Sequence, residues 1–150
     1  MKLTQYSDYS LRVLIYLGLQ GGERATITEI AATYGISRHH IVKIVHKLGQ
    51  LGYVDTVRGK NGGLHLARAP QDIPVGEVIR HMEPNLNIVE CFDDTDICVL
   101  TPTCVLRGAL GEALTAFLAT LDDYTLADLL APRDKLHSHL FARLTPIDVE

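Results

Sequence analysis

The only cysteines of this 150-residue chain, Cys91, Cys98 and Cys104, lie close together with the spacing C-x6-C-x5-C. Three thiols cannot all pair as disulfides, and three ligands are one short of the four that zinc or an iron–sulfur cluster usually takes. There is no CxxC motif, which argues against a thioredoxin-like site or a zinc knuckle. Four uses remain open: buried inert cysteines, a redox-active thiol pair, structural zinc, or an iron–sulfur cluster, the last two needing a fourth ligand from elsewhere.

Acidic residues separate the first two cysteines, namely Asp93, Asp94 and Asp96. Negative neighbours oppose thiolate formation, so they argue against a bare reactive cysteine. A predicted helix start at Cys104 acts in the opposite direction for that thiol alone. The wide spacing, with Pro102, suits an object larger than one ion. We find no positive role for the acidic residues in the sequence.

Charge is distributed unevenly along the chain, although the net charge is only −4. Residues 1–68 carry nine Lys/Arg and four Asp/Glu, whereas residues 69–150 carry five and fourteen. A basic first half followed by an acidic second half indicates two tasks in one chain, the first with nucleic acid as partner. Apolar stretches are too short to span a bilayer and the start lacks a signal-peptide core. We therefore expect a cytoplasmic protein with reduced thiols and no membrane partner.

Three helices are predicted in the basic half. The first covers residues 4–19, with Asp8 and Arg12 as a possible i,i+4 pair. Thr28 is predicted to cap a short helix over 29–34, Gly35 to make a turn, and Ser37 to cap a helix over 38–50 that ends at Gly52. The inward positions are apolar at helical spacing: Ile30, Ala31, Ile36, Ile41, Ile44, Val45 and Leu48. This pattern is typical of a helix-turn-helix.

A β-hairpin is predicted directly after these helices, because residues 53–68 alternate around the turn GKNGG. A hairpin in this position is a wing, and a basic wing tip can enter a minor groove or follow the DNA backbone. Residues near the start of the second helix of the motif can reach base edges in the major groove. The predicted DNA-contacting residues are Thr28, Ser37, Arg38, His39, His40, Lys43, Arg58, Lys60, Asn61 and Gly62.

The acidic half is predicted to hold a short helix over 75–83, the cysteine segment, a long helix over 104–121 and a short helix over 124–131. The long helix is apolar beyond a single stripe, so it needs two partners. One is its own chain and the other a second copy, although complete burial within one chain is the alternative. The predicted fold is mainly α with a small β-hairpin wing. It comprises a winged helix-turn-helix region (1–70), a connecting helix and cluster-binding loop (71–103), dimerisation helices (104–131) and a tail (132–150) without a clear pattern.

Four stretches, TQYSDYSLRVLIYL, ITEIAATYGISRHHIVKIVHKLGQLGYV, VRGKNGGLHLAR and C-x6-C-x5-C, occur in this order. Their combination, which reaches to about residue 131, resembles a family of dimeric winged-helix repressors that carry iron–sulfur clusters. The resemblance is strongest to its nitric-oxide-sensing branch, notably in YGISRHHIVKI, VRGKNGG and YTLADL. The resemblance implies a homodimer that binds an inverted-repeat DNA operator and is released from it by nitric oxide.

Arg107 helps to choose within this family. Some members use a histidine three residues after the third cysteine, but Arg107 stays protonated and cannot bind iron. The nitric-oxide-sensing branch instead takes an aspartate from the first helix of the other subunit, and that position matches Asp8. The resemblance thus implies a [4Fe–4S] cluster, or alternatively [2Fe–2S], held by the three cysteines and the partner's Asp8, with Arg12 supporting Asp8.

The sequence leaves some alternative functions open and argues against others. Two alternatives within regulation stay open. The chain could be a winged-helix regulator that senses iron or cluster status or redox state, or one that binds zinc instead of a cluster. An electron-transfer module would need no basic helix-turn-helix and wing. No phosphate loop, Ser/His/Asp order or supported carboxylate pair indicates an enzyme. His65 and His81 could be mistaken for metal ligands but are interpreted as surface or DNA-side residues.

Overall fold

The computed structural model describes residues 1–95 and 98–142 of the chain. The described part contains seven α-helices and one two-stranded antiparallel hairpin. The mainly α fold with a small β-hairpin is confirmed. The elements are α1 (Gln5–Leu19), α2 (Ile27–Tyr34), α3 (Arg38–Gln50), β1 (Val54–Val57), β2 (Gly63–Leu66), α4 (Val75–Met82), α5 (Val105–Asp122), α6 (Leu126–Leu129) and α7 (Arg133–Phe141).

Helix α2 begins earlier than the sequence analysis expected. Its N-cap is Thr26, whose side chain accepts a hydrogen bond from the Glu29 backbone N–H while the Glu29 carboxylate accepts one from the Thr26 backbone N–H. This reciprocal capping box satisfies two otherwise unpaired donors at once. Thr28 has no Glu or Gln three residues later to reciprocate, so its prediction as the N-cap is wrong. Thr28 lies exposed in the first turn of α2.

Helix α3 has the predicted boundaries. The Ser37 side chain accepts a hydrogen bond from the His40 backbone N–H at its start, and Gly52 follows its end with a φ of 80°. Gly35, with a φ of 64°, makes the turn between α2 and α3. Helix α1 packs against both α3 and α4. Every predicted inward position is buried, namely Ile30, Ala31, Ile36, Ile41, Ile44, Val45 and Leu48.

The hairpin pairs β1 with β2 in the register Val54 to Leu66 and Val57 to Gly63. Its turn uses positive φ angles at Gly59, Asn61 and Gly63, as predicted for this glycine- and asparagine-rich sequence. A Cβ on Gly62 would collide with the carbonyl oxygens of Val57 and Gly59. Gly62 is thus required for the close approach of two backbone segments within the turn.

Helix α5 has no buried residue along its 18 residues. It packs mainly against α4. Leu110, Leu114, Phe117 and Leu121 are half-buried, whereas Leu106 and Ala113 are exposed. Val105 and Leu106 are 86% and 64% exposed. Complete burial of this helix within one chain, the alternative considered above, is therefore wrong.

Helix α7 lies in the segment for which the sequence showed no clear pattern. It returns to the first helices, because the Arg133 guanidinium donates to the carbonyl oxygens of Gly18 (3.3 Å) and Leu19 (2.6 Å) at the end of α1. The ring of Phe141 packs edge-on against Tyr16, with 5.5 Å between centroids. Its apolar residues are few and α7 covers an existing core, which explains its weak periodicity. Residues 143–150 of the predicted tail lie outside the described residues.

None of the helices in the described residues is long and apolar enough to cross a membrane.

Candidate cysteine site and nucleic-acid interface

The three cysteines lie between α4 and the start of α5. Cys91 occupies a 3-10 turn over Glu90–Phe92, Cys98 is exposed, and Cys104 is the N-cap of α5. Cys91 and Cys104 are half-buried, and none of the three forms a disulfide. The start of α5 at Cys104, which the sequence predicted, is thereby confirmed. All three thiols are accessible rather than enclosed in a core, so inert burial does not describe them.

Arg107 joins two of the cysteine positions. Its backbone N–H donates to the Cys104 sulfur (3.4 Å), and its guanidinium Nε donates to the carbonyl oxygen of Cys91 (3.1 Å). The guanidinium also lies over the ring of Phe92, 5.9 Å from the centroid. Arg107 therefore holds the Cys91 turn against the first turn of α5. From the sequence, Arg107 is predicted only to be unable to bind iron. Its position three residues after Cys104 could have suggested this structural role as well.

Asp8 lies in the first turn of α1 and forms the predicted pair with Arg12. The two side chains meet through two hydrogen bonds, of 3.2 and 2.9 Å, and each is close to half exposed. The Arg12 guanidinium also lies over the rings of Tyr9 (5.5 Å) and Tyr34 (6.0 Å). The Arg12 guanidinium thus holds both carboxylate oxygens of Asp8 in place, while the Asp8 side chain stays accessible to solvent.

The acidic residues between the thiols have one visible contact. The side-chain amide of Asn87 donates to a carboxylate oxygen of Asp93. Asp94 is exposed, and Asp96 lies outside the described residues. The contact of Asp93 stabilises the turn that carries Cys91 and gives this acidic residue a local structural role.

The donor set is suitable in type for an iron–sulfur cluster, because it offers three accessible thiols on one segment. The Cys104 sulfur accepts a hydrogen bond from the Arg107 backbone N–H in the first turn of α5. In residues 1–95 and 98–142 of a single chain, no three His, Cys, Asp or Glu side chains gather closely enough to hold a metal ion.

The exposed side of α3 carries the residues predicted to contact DNA. Arg38, His39, His40 and Lys43 are all exposed there, and Ser37 caps the helix at the same end. The tip of the hairpin places Arg58, Lys60 and Asn61 in solvent. The Arg24 guanidinium donates to the carbonyl oxygen of Asn61 (2.8 Å), which fixes the tip. The helix and the hairpin tip thus present separate basic surfaces.

Two further residues on the exposed side of α3 were not predicted from the sequence. Val42 is 39% exposed although it is apolar, and His46 lies exposed one turn later. Both line a shallow groove with Ile27 at the start of α2 and Thr56 of β1. The helical spacing of the buried positions Ile41, Ile44 and Val45 could have placed Val42 outside the core.

A buried tyrosine connects the hairpin to α4. Tyr53, directly before β1, is fully buried, and its hydroxyl lies 2.7 Å from both the Glu77 carboxylate and His81 Nδ1 of α4. The Arg68 guanidinium, just after β2, donates to the same Glu77 oxygen (2.7 Å) and lies over the Tyr53 ring. Burial, followed by the Glu77 carboxylate, raises the pKa of Tyr53, while Arg68 and then Tyr53 lower the pKa of Glu77. We call Tyr53, Arg68, Glu77 and His81 the wing anchor.

Helix α4 is joined to α5 on its other side. The Arg80 guanidinium forms two hydrogen bonds with the Asp122 carboxylate, of 2.5 and 2.7 Å, and lowers the pKa of Asp122. Gly76 lies so close to this carboxylate that a Cβ would collide with it. Helix α4 therefore has polar links to the base of the hairpin and to the long helix.

The three helices, the capped second helix of the turn motif and the basic hairpin together define a winged helix-turn-helix DNA-binding protein. Residues 3–132 match the Rrf2 family, described as iron-dependent transcriptional regulators. The chain belongs to the Rrf2 family, and it is a DNA-binding transcriptional regulator.

Similar proteins agree with this assignment over nearly the whole chain. The HTH-type transcriptional regulator NsrR of Bacillus subtilis (strain 168) is 52% identical over 138 residues, which are 91% of this chain and 94% of that protein. NsrR of Geobacillus kaustophilus (strain HTA426) is 54% identical over 145 residues, 95% of this chain and 99% of that protein. The predicted resemblance to this family of winged-helix repressors, and within it to regulators named NsrR, is confirmed.

Solved structures share the fold. The global cysteine regulator CymR (YrzC) of B. subtilis is 28% identical with a TM-score of 0.69, covering 86% of this chain and 95% of that one. IscR of T. potens is 26% identical with a TM-score of 0.72, covering 91% and 90%. The winged helix-turn-helix is therefore a fold that solved regulators share.

Proposed function

We propose that this chain is a homodimeric, operator-binding repressor that responds to nitric oxide through a [4Fe–4S] cluster. Cys91, Cys98 and Cys104 of one chain and Asp8 of its partner would hold that cluster. The similar proteins carry the name NsrR, and the sequence resemblance to the nitric-oxide-sensing branch supplies the effector. The observation that carries the proposal is the arrangement around Arg107.

Arg107 supports the proposal in two ways. Its guanidinium donates to the Cys91 carbonyl oxygen and lies over the Phe92 ring, so Arg107 has a structural role beside the cysteines and is not a ligand itself. Its contacts also hold the Cys91 turn close to the Cys104 end of α5, so two of the three thiol-bearing positions are organised before any metal binds. Pre-organisation of this kind lowers the entropic cost of binding.

The sequence resemblance supplies the proposal that the fourth ligand is Asp8 of another chain. The structure supports it because the Asp8 side chain is accessible and is held by Arg12. The two hydrogen bonds from Arg12 hold its carboxylate in place and leave it nearly half exposed. When bound, the cluster would supply iron atoms that react with nitric oxide, and a carboxylate, as a harder ligand than thiolate, leaves its iron the most open to exchange.

The position of Asp8 can connect the cysteine segment of one chain to the reading helix of the other. Asp8 lies on α1, which packs directly against α3. The Tyr6 hydroxyl of α1 also donates to the Lys43 carbonyl oxygen of α3 (3.2 Å). A ligand bond at Asp8 would therefore fix the partner's cysteine segment relative to α3. A coupling free energy of about 1–3 kcal/mol is enough to change DNA affinity from several-fold to a hundredfold.

A second copy of the chain is proposed to cover α5. Val105 and Leu106 are exposed apolar residues at its start, and no residue of the helix is buried within its own chain. Apolar surface of this extent on a helix of a folded domain is typical of a protein interface. In a two-fold dimer the same face of both copies would pack together. Half-sites of the operator are then expected about one helical turn apart, as for other dimeric helix-turn-helix proteins.

The family description favours one second candidate. Because Rrf2 regulators are described as iron-dependent, the same cysteine site could report iron or cluster status rather than nitric oxide. Both candidates need a metal-loaded protein, so metal content does not distinguish them. DNA affinity measured with and without nitric oxide does, since only the first candidate predicts release by that gas.

The test is an anaerobic visible spectrum and a DNA-binding titration, each with and without nitric oxide. For the parent, we expect cluster absorbance, and DNA binding that is lost when nitric oxide is added. Cys98→Ala should lose both properties. Intact absorbance and DNA binding in this variant would show that the cluster does not control the regulator.

Asp8→Ala tests the fourth ligand, and Arg12→Ala is its matched control. Both substitutions remove the ion pair, but only the first removes the carboxylate. We expect Asp8→Ala to lose cluster stability and Arg12→Ala to keep more of it. Equal behaviour of the two variants would mean that Asp8 acts only through its pair with Arg12.

A further inference from the structure

Val42 is an exposed apolar residue in the middle of α3. Its neighbours Ile41, Ile44 and Val45 are buried in the core, whereas Val42 keeps 39% of its surface exposed. Valine is also a weak helix former, because its branched side chain loses rotamer freedom against the preceding turn. Val42 therefore leaves about two-fifths of its apolar side chain open to contact with a partner of the helix.

The surroundings of Val42 are those of a DNA-reading surface. Residues three and four positions apart share one face of a helix, which places Arg38, His39 and His46 beside Val42. All three of these neighbours are exposed. Val42 is thus an apolar spot within a strip of side chains that can donate hydrogen bonds, on the helix that a helix-turn-helix protein inserts into the major groove.

The groove beside Val42 is open at this position. It is bounded by Ile27 at the start of α2, by His46 one turn further along α3, and by Thr56 of β1. An apolar side chain in such a place can contact only one apolar feature of the base edges in the major groove. That feature is the C5-methyl group of thymine.

We propose that Val42 is a specificity-determining residue that contacts the C5-methyl group of a thymine in each half-site. Arg38 and His39 supply hydrogen bonds to neighbouring base edges or phosphates, whereas Val42 selects by apolar contact. This assignment rests on DNA binding by the chain, whichever metal centre or effector controls that binding. It adds an apolar base contact to a surface that is otherwise polar and basic.

The experiment pairs a protein substitution with the removal of a single methyl group from DNA. A duplex is first selected from a random-sequence pool by the full-length chain purified anaerobically. Each thymine of one half-site is then replaced in turn by deoxyuridine, which removes only the methyl group. Dissociation constants of the parent and of Val42→Ala are measured on every duplex at one salt concentration.

At one thymine of the half-site, the parent should bind the deoxyuridine duplex roughly fourfold more weakly, the effect of exposing about one buried methyl group. Val42→Ala should bind the thymine duplex more weakly than the parent and show no further loss at that position. Either of two results would overturn the assignment. In the first, the parent is sensitive to no thymine of the half-site, which includes the case that the selected duplex contains no thymine. In the second, the parent and Val42→Ala are equally sensitive at every thymine.

Gln71→Ala is the control, because Gln71 is exposed and lies outside both α3 and the groove beside Val42. It should keep the sensitivity of the parent to the critical thymine. Val42→Thr provides a second variant of nearly the same volume that keeps one methyl group, and an intermediate sensitivity is expected. Circular dichroism checks that all variants keep the fold, and binding to an unrelated duplex checks that they keep the salt-dependent affinity for DNA. A loss of affinity found only in misfolded variants would count against Val42 as a base contact.

Discussion

The two halves of the molecule differ in how complete they are within one chain. In the DNA-reading half, the helices α1 to α3 surround fully buried residues such as Leu14, Ile30 and Ile41, and each helix begins with a side-chain cap. In the cysteine half, α5 has no buried residue, and Val105 and Leu106 lie in solvent. The first half surrounds most of the buried core, to which α4 and α6 also contribute, whereas α5 has apolar surface that its own chain leaves uncovered.

This difference indicates how the regulator divides its work. A reading surface must keep its shape to recognise bases, so it benefits from a complete core and satisfied backbone groups. A sensing segment must change when its ligand set changes, and such segments come from the less stable parts of a protein. We infer that the second chain and the metal together complete the half that the single chain leaves open.

The largest expected difference between the halves is in core packing. Ile41→Ala removes a fully buried side chain and should lower the free energy of unfolding by about 2–5 kcal/mol, because it leaves a cavity. Leu106→Ala, at a residue that is 64% exposed, should change the unfolding of dilute protein by less than about 0.5 kcal/mol. Urea unfolding followed by circular dichroism measures both.

The same pair of variants should separate in the opposite direction in self-association. Sedimentation at several protein concentrations should show weaker association for Leu106→Ala, if the exposed face of α5 is the dimer surface. Ile41→Ala lies in the reading half and should associate normally as long as it is folded. Normal association of Leu106→Ala would remove α5 from the proposed interface.

A smaller effect is expected at the wing anchor. Tyr53→Phe removes a hydroxyl that lies 2.7 Å from both Glu77 and His81, so it should cost about 1–2 kcal/mol of stability. Because Tyr53 and Arg68 flank the hairpin, the variant should also bind DNA more weakly through a less fixed wing. Tyr124→Phe, which removes a hydroxyl from a residue that is 51% exposed, is the control. A loss in Tyr53→Phe no greater than that of the control would show that the anchor adds nothing.

The capping of α2 should contribute about 1 kcal/mol. Thr26→Ala removes the capping box and should lower the free energy of unfolding by that amount, whereas Thr28→Ala, at an exposed first-turn position, should be nearly neutral. Thermal unfolding of the two variants side by side measures the difference. Equal losses of stability would show that Thr26 caps α2 no more than Thr28 does.

The reading half could be predicted well from its sequence because its information is local. Hydrophobic spacing located the buried face of α3, Ser37 and Gly35 located its start and the turn before it, and the GKNGG turn located the hairpin. Thr28 was chosen instead of Thr26 because both are good caps, and only the reciprocal Glu29 contact decides between them. That contact could have been found by applying the three-residue spacing of a capping box.

The remaining features depend on contacts between distant residues. The link of Tyr53 to Glu77 and His81 joins positions 24 and 28 residues apart, and the Arg133 contacts with the end of α1 join positions more than a hundred apart. Helical periodicity carries no information about such pairs. The cysteine ligand set is a harder case still, because its proposed fourth member belongs to another chain.

The smallest expected effect is a pH dependence at Glu77. The pKa of this carboxyl is lowered in the folded protein, first by the hydrogen bond from Arg68 and then by that from Tyr53. A lowered folded pKa means that the contribution to stability is present above the unfolded pKa of about 4.3 and is lost as the pH falls through the folded pKa. Glu77→Gln should therefore narrow the stability difference between pH 7 and pH 4, by about 1 kcal/mol at most because the pair is one-third exposed. Urea unfolding at both pH values measures this difference, and Glu112→Gln on the exposed helix α5 is the control. If Glu77→Gln shows the same difference as the parent, the charge of Glu77 does not contribute to the stability of the wing anchor.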